Sequence, residues 1–174
     1  MRRVTWACAT GAVALVACGV VIGSRSFDVP VDESGPVFRL EGSAPEILLQ
    51  ILARNLSAAL LLFSGYVTLG VTSVLALGLI SIFVGASGTA MLSAGAASTI
   101  GPWVVMYIAI EFTGLLVAGV AGLLPLAVFL ARSFGTPDIA PGRSTRHSLR
   151  LLALAVTLII ASAVIETVVI VTHQ

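Results

Sequence analysis

Five apolar stretches, each long enough to cross a bilayer as a helix, constrain this chain more than any other feature of its sequence. A transmembrane helix needs about 20 predominantly apolar residues, and the chain of 174 residues is 58% hydrophobic and only 10% charged. Soluble domains carry about 25% charged residues, so these few charges cannot cover a globular surface. The sequence therefore predicts an all-α integral membrane protein, a helical bundle of about five transmembrane helices in one domain, solvated mainly by the lipid bilayer.

The predicted segments follow one another in a simple order. They are an N-terminal anchor helix at 1–24, an external loop at 25–45, a three-span core at 46–131, a cytoplasmic loop at 132–150 and a C-terminal span at 151–174. Inside the core, SGYVTLG at Ser64–Gly70 predicts a tight turn between two spans, with a re-entrant segment as the alternative. The first run contains LVAC at Leu15–Cys18, which fits a lipoprotein cleavage box, but the run stays apolar beyond Cys18 and so favours an uncleaved anchor.

The placement of the arginines predicts the orientation of the chain in its membrane. Cytoplasmic loops are enriched in Arg and Lys, and the segment from Arg25 to Glu46 combines two arginines with five acids. Most of the other arginines lie near the N-terminus and in the fourth loop: Arg2, Arg3, Arg132, Arg143, Arg146 and Arg150. We therefore expect a cytoplasmic N-terminus and an external C-terminus. The net charge of +1 argues against a nucleic-acid partner, which would require a basic patch.

Three charged residues inside the predicted spans share one depth. Arg54 and Glu111 each lie eight residues, about 12 Å, from the outer end of their span, and Glu166 lies six residues, about 9 Å, from its own. Because an ionised group in lipid costs at least ~2.5–3.5 kcal/mol, we expect these charges and the adjacent Asn55 to form a polar cluster inside the bundle. One of the two carboxylates would then be free for a proton, a cation or a partner. The alternative is that Arg54 and Glu166 reach the headgroups by snorkelling.

Small residues at helical spacing predict where the helices approach one another. Gly114, Ala118 and Gly122 follow Glu111 at i+3, i+7 and i+11, so they share its face. A longer series occupies every fourth position of the third span: Ser81, Gly85, Thr89, Ser93 and Ala97. Small residues at this spacing let helices pack closely, so we expect packing seams inside the bundle or between copies of the chain.

The sequence offers no motif for catalysis, metal binding or a cofactor. It has no zinc-type ligand spacing, nucleotide loop or dinucleotide fingerprint, so the motifs predict no catalytic residue, metal or cofactor. GASG at Gly85–Gly88 matches the G-x-S-G of rhomboid proteases, with Ser87 as nucleophile. A serine nucleophile needs a base within hydrogen-bond reach, and both His147 and His173 lie outside the membrane-embedded part of the predicted spans.

The segment from Arg54 to Leu124 resembles the stage II sporulation protein M family. The resemblance rests on RNLSAALLLFSGYVTLG, GLISIFVGA and EFTGLLVAGVAGL, in which Asn55 and Glu111 match family motif positions. The chain departs from the family at Met106–Ile108, where Pro-His-Gly is common, and at Leu77-Gly78, near a frequent Asn-Gly.

The resemblance implies a non-enzymatic membrane component that works with other envelope proteins. Members of the family act with cell-wall hydrolases during engulfment, and others occur with systems that make or export circular bacteriocins. We therefore expect a scaffold or subunit of an envelope complex, whose partners are other membrane or envelope proteins or a second copy of itself. The alternative is a small ion- or proton-coupled transporter that uses the intramembrane Glu/Arg cluster.

Overall fold

In a computed structural model, the structure describes residues 2–26, 42–93, 102–134 and 141–172. These ranges form five long helices and contain no strand, which confirms the predicted all-α bundle. The helices are α1 (Arg2–Ser26), α2 (Ala44–Phe63), α3 (Val71–Ser93), α4 (Pro102–Ser133) and α5 (Pro141–Thr172), with a short 3₁₀ helix at Ser64–Tyr66. All five are long and apolar enough to cross a membrane. Most of the external loop, residues 27–41, lies outside the described residues, as do Ala97 and His173.

Local sequence signals fix the beginning of α2 and the turn that follows it. At the start, the Ser43 N–H donates to the Glu46 carboxylate (2.7 Å), which is the reciprocal half of a capping box. At the far end, Leu69 and Gly70 both adopt positive φ, 51° and 87°, and the Gly70 N–H donates to the Gly65 carbonyl oxygen (2.6 Å). A positive φ reverses the chain within a few residues, so α2 and α3 are joined by a tight turn.

The α5 helix begins earlier than hydropathy indicates. It starts at Pro141, so residues 141–150 of the predicted cytoplasmic loop are helical. Ser144 and Ser148 are buried although their neighbours are polar, and the Ser148 hydroxyl donates to the Ala121 carbonyl oxygen of α4. Packing against α4 therefore extends α5 past the apolar stretch.

Two hydrogen bonds place three chain segments at one end of the bundle. The Thr5 hydroxyl of α1 bonds to the His147 imidazole of α5 (3.0 Å), and the Tyr66 hydroxyl bonds to the Thr145 hydroxyl (2.6 Å). The start of α1, the turn after α2 and the start of α5 thus lie together. We call this the arginine-bearing end, because Arg2, Arg3, Arg143, Arg146 and Arg150 belong to it.

The α4 helix occupies the centre of the bundle. In its most apolar stretch 56% of the residues are buried, against 22% in α1 and 28% in each of α2, α3 and α5. The α4 helix continues through Pro125 to Ser133. The other helices surround it and leave large apolar side chains on the outside, such as Leu49, Leu79 and Phe83. An apolar exterior of this kind suits a lipid bilayer.

Candidate functional site

The predicted polar residues lie where α2, α4 and α5 meet, in the half of the bundle away from the arginine-bearing end. The α2 helix supplies Arg54 and Asn55, α4 supplies Glu111 and α5 supplies Glu166. Buried apolar residues hold α2 and α5 together beside them: Ile47, Ile51 and Ala163. We call Arg54, Asn55, Glu111 and Glu166, together with Tyr107, the polar junction.

The charges of the polar junction interact, but they do not form a salt bridge. Glu111 and Glu166 are close enough to interact electrostatically with each other and with Arg54. The Arg54 side chain is exposed, and its Nε donates a long hydrogen bond to the Asn55 Oδ1 (3.5 Å). Arg54 therefore lies at the outer edge of the junction, with its charge on the surface of α2.

Two buried polar atoms of the junction have no hydrogen-bond partner among the residues that the structure describes. They are the Nδ2 of Asn55 and the Oε2 of Glu166. Asn55 is 3% exposed, and its amide lies beside the Glu111 carboxylate without a hydrogen bond of normal geometry. A buried donor or acceptor left unpaired costs about 1–3 kcal/mol. The Asn55 amide and the Glu166 carboxylate therefore keep hydrogen-bonding capacity that water, a cation or a polar group of another chain would satisfy.

Tyr107 is a member of the junction that the sequence interpretation did not include. It is half-buried and interacts with Glu166, Glu111 and Arg54. Its spacing of four residues from Glu111 puts both side chains on one face of α4, and that spacing was the available signal.

The small residues of α4 are buried but contact different neighbours. Gly114 approaches Ala155 and Ile159 of α5, whereas a side chain at Gly122 would collide with the Leu62 carbonyl oxygen of α2 and the Ser73 hydroxyl of α3. Ala118, between them, is fully buried. The predicted seam is therefore one stripe on α4 that serves three helices.

The small residues of α3 pack against α1. Ser81 and Gly85 are buried, Thr89 is half-buried and Ser93 is exposed. A Cβ at Gly85 would collide with the Val20 carbonyl oxygen of α1, and a Cβ at Gly23 would collide with the Ile82 carbonyl oxygen of α3. We call this contact the α1–α3 seam.

The sequence interpretation missed the α1 half of this seam. Gly19 and Gly23 form a Gly-x-x-x-Gly pair, and a Cβ at Gly19 would lie only 2.5 Å from the Ser81 Cβ. Such pairs are typical of close helix contacts in membranes. This pair in the first apolar stretch is the sequence signal that could have predicted the contact of α1 with α3.

The remaining candidate residues are far apart. Ser87 lies toward the end of α3, whereas His147 contacts Thr5 at the arginine-bearing end. Among the described residues, no group of three or more His, Cys, Asp or Glu side chains could hold a metal ion.

One comparison with known proteins gives a match. The sequence profile of the stage II sporulation protein M family matches residues 10–169, which covers all of the polar junction and nearly all of α1 to α5. No curated protein and no solved structure matches the chain.

Proposed function

Because the chain belongs to the stage II sporulation protein M family, we propose that it is a non-enzymatic subunit or scaffold of a bacterial envelope complex. Its five apolar helices make it a multi-pass membrane protein. We place it in the bacterial inner membrane with the arginine-bearing end in the cytoplasm, as the distribution of arginines favours. The complexes that the family resemblance suggests remodel the cell wall or mature and export peptides.

The exposure of Arg54 is the main support for a scaffold. This residue lies in the middle of α2, and it is exposed and forms no salt bridge with Glu111 or Glu166, although its Nε donates a long hydrogen bond to the buried Asn55. A charged group at mid-membrane depth costs at least ~2.5–3.5 kcal/mol unless it is solvated or paired. An acidic or carbonyl-bearing helix of another protein, seated on the outer face of α2, would satisfy it.

The surroundings of Arg54 fit a contact surface. Ser57, one turn further along α2, is also exposed, as are Leu49, Leu60 and Leu61. Leu61, at i+7, shares the face of Arg54, so this side of α2 offers both an apolar contact area and a hydrogen-bonding site. Polar side chains between membrane helices contribute about 0.6–2 kcal/mol each, enough to select one partner.

Site-specific photo-crosslinking in the native membrane tests this proposal. A photoreactive residue at Ser57 should yield a cross-link to one defined envelope protein, identified by mass spectrometry of the adduct. The same reporter at Leu79, on the exposed face of α3, is the control for random collisions.

Substitutions of Arg54 distinguish two explanations for its exposure, namely binding of a partner protein and snorkelling to the lipid headgroups. Arg54→Gln should abolish the Ser57 adduct and Arg54→Lys should weaken it, because Lys keeps the charge but loses the planar fork of donors. If Arg54 only reaches headgroups, Arg54→Gln leaves the adducts unchanged, and the scaffold proposal then loses its main support.

The unpaired atoms of the junction favour a second candidate, a small ion- or proton-coupled transporter. Intramembrane carboxylates mark many ion and proton pathways, and the Oε2 of Glu166 has no hydrogen-bond partner within the described part of the chain. Purified protein in liposomes should then show a cation or proton flux that Glu111→Gln and Glu166→Gln abolish. A flux equal to that of empty liposomes excludes this candidate and leaves the scaffold.

A further inference from the structure

An apolar groove runs between α1 and α4 at the arginine-bearing end. It encloses about 620 Å³. Its α1 wall includes Arg3, Ala7, Gly11 and Leu15, and its α4 wall includes Leu123 and Ala127. The groove opens to the outside of the bundle, where the helices meet lipid.

The groove has the length of one leaflet. From Arg3 to Leu15 the α1 helix advances twelve residues, about 18 Å at 1.5 Å per residue. The hydrocarbon core of a bilayer is about 30 Å thick, so a single leaflet contributes about half of that. A groove of this length holds one extended acyl chain whose headgroup lies level with Arg3.

Small residues on α1 keep the groove open. Ala7 and Gly11 are exposed at i and i+4 on one face, and no atom of the described residues lies within 4 Å of the Cβ position of Gly11. The close contacts of α1, at Gly19 and Gly23, lie in its other half. The groove therefore has room that a larger side chain would fill without a collision.

Among the described residues that line the groove, Arg3 is the only charged one. Arg3 is exposed at the headgroup end. The acidic residues that the structure describes, Glu46, Glu111 and Glu166, all lie in the opposite half of the bundle. An acyl chain gains little by moving from lipid into an equally apolar groove, so the headgroup decides which lipid binds.

We propose that this groove is a binding site for an anionic phospholipid, with one acyl chain between α1 and α4 and the headgroup phosphate paired with Arg3. Basic pockets between transmembrane helices bind anionic headgroups in this way. The guanidinium offers a phosphate two parallel hydrogen bonds. The site is independent of the polar junction and of the proposed scaffold role.

Native mass spectrometry of the full chain tests the proposal. The protein is extracted in detergent from vesicles of equal phosphatidylglycerol and phosphatidylethanolamine, and the retained lipids are counted. We expect one retained phosphatidylglycerol, favoured about five-fold over phosphatidylethanolamine. Arg3→Gln should remove the preference, whereas Arg2→Gln, the same charge change beside it and outside the groove, should leave it intact.

Gly11→Leu tests the acyl-chain half of the site. It should abolish retention of the lipid, whether phosphatidylglycerol or phosphatidylethanolamine, whereas Gly88→Leu, at an exposed glycine of α3 with equally open surroundings among the described residues, should change nothing. Unchanged thermal unfolding shows that Gly11→Leu still folds. Three results would each overturn the proposal. They are an equal loss of the phosphatidylglycerol preference in Arg3→Gln and Arg2→Gln, lipid retention without any headgroup preference, and a bound peptide in place of lipid.

Discussion

The α1–α3 seam and the polar junction are two ways of holding membrane helices together, and they differ in what they leave unsatisfied. At the seam, glycines bring two backbones so close that no side chain fits at Gly23 or Gly85. At the junction, charged and amide side chains meet without a salt bridge, and two buried polar atoms stay unpaired. The seam is complete within this chain, whereas the junction has hydrogen-bonding capacity left for something else.

The largest effect is expected from filling the seam. Gly85→Leu places a side chain against the Val20 carbonyl oxygen, an obstacle of backbone that cannot rotate away. Overpacking a tight site costs about 1–3 kcal/mol or more, and here α1 must separate from α3. Thermal unfolding in detergent should show a large drop in melting temperature, with α1 becoming sensitive to protease.

Gly88→Leu is the matched control for the seam. It lies on the same helix, and no atom lies within 4 Å of its Cβ position. Its melting temperature should stay at the wild-type value. If both variants lost the same amount of melting temperature, α3 would tolerate no leucine at any glycine. The tight seam would then not explain the effect.

A leucine in the polar junction should have a much smaller effect. Asn55 is buried, its Nδ2 is unpaired and its Oδ1 accepts only a long bond from Arg54. Replacing a poorly satisfied polar group by an apolar one of similar size is nearly neutral or stabilising. Asn55→Leu should therefore change the free energy of unfolding by no more than about 1 kcal/mol.

The result for Asn55→Leu bears directly on whether the junction is occupied. Unfolding in detergent and in native membranes gives two values to compare. A loss as large as that of Gly85→Leu would show that Asn55 has a partner, and a loss confined to native membranes would identify that partner as another membrane component.

The sequence predicted the fold well because hydropathy and turn chemistry act locally. Five spans follow from five apolar stretches, and the turn at Ser64–Gly70 follows from its glycines. The start of α5 at Pro141 was missed because it depends on Ser148 packing against α4. Helical periodicity also predicted that Glu111, Gly114, Ala118 and Gly122 lie along one side of α4.

Sequence periodicity could not identify the neighbour that each face contacts. Gly114 faces α5 whereas Gly122 faces α2 and α3, and this division depends on where the helices cross. Arg54 was expected inside the bundle and is exposed. The rotation of α2 is set by buried residues elsewhere on the helix, such as Ile51 and Leu62, and a single charge does not override them.

The smallest effects should come from the two tyrosines, which represent the two ends of the molecule. Tyr66 donates or accepts a 2.6 Å hydrogen bond with Thr145 across the arginine-bearing end. Tyr107 interacts with the charges of the polar junction at longer range. Tyr66→Phe should therefore cost about 1 kcal/mol, the usual net value of one hydrogen bond, and Tyr107→Phe only a few tenths.

Equilibrium unfolding of both variants under one condition gives the comparison. Phenylalanine keeps the ring in each case, so the difference isolates the hydroxyl groups. If Tyr107→Phe costs more than Tyr66→Phe, the Tyr107 hydroxyl makes a direct bond within the junction, and the junction is then more nearly complete than its unpaired atoms indicate.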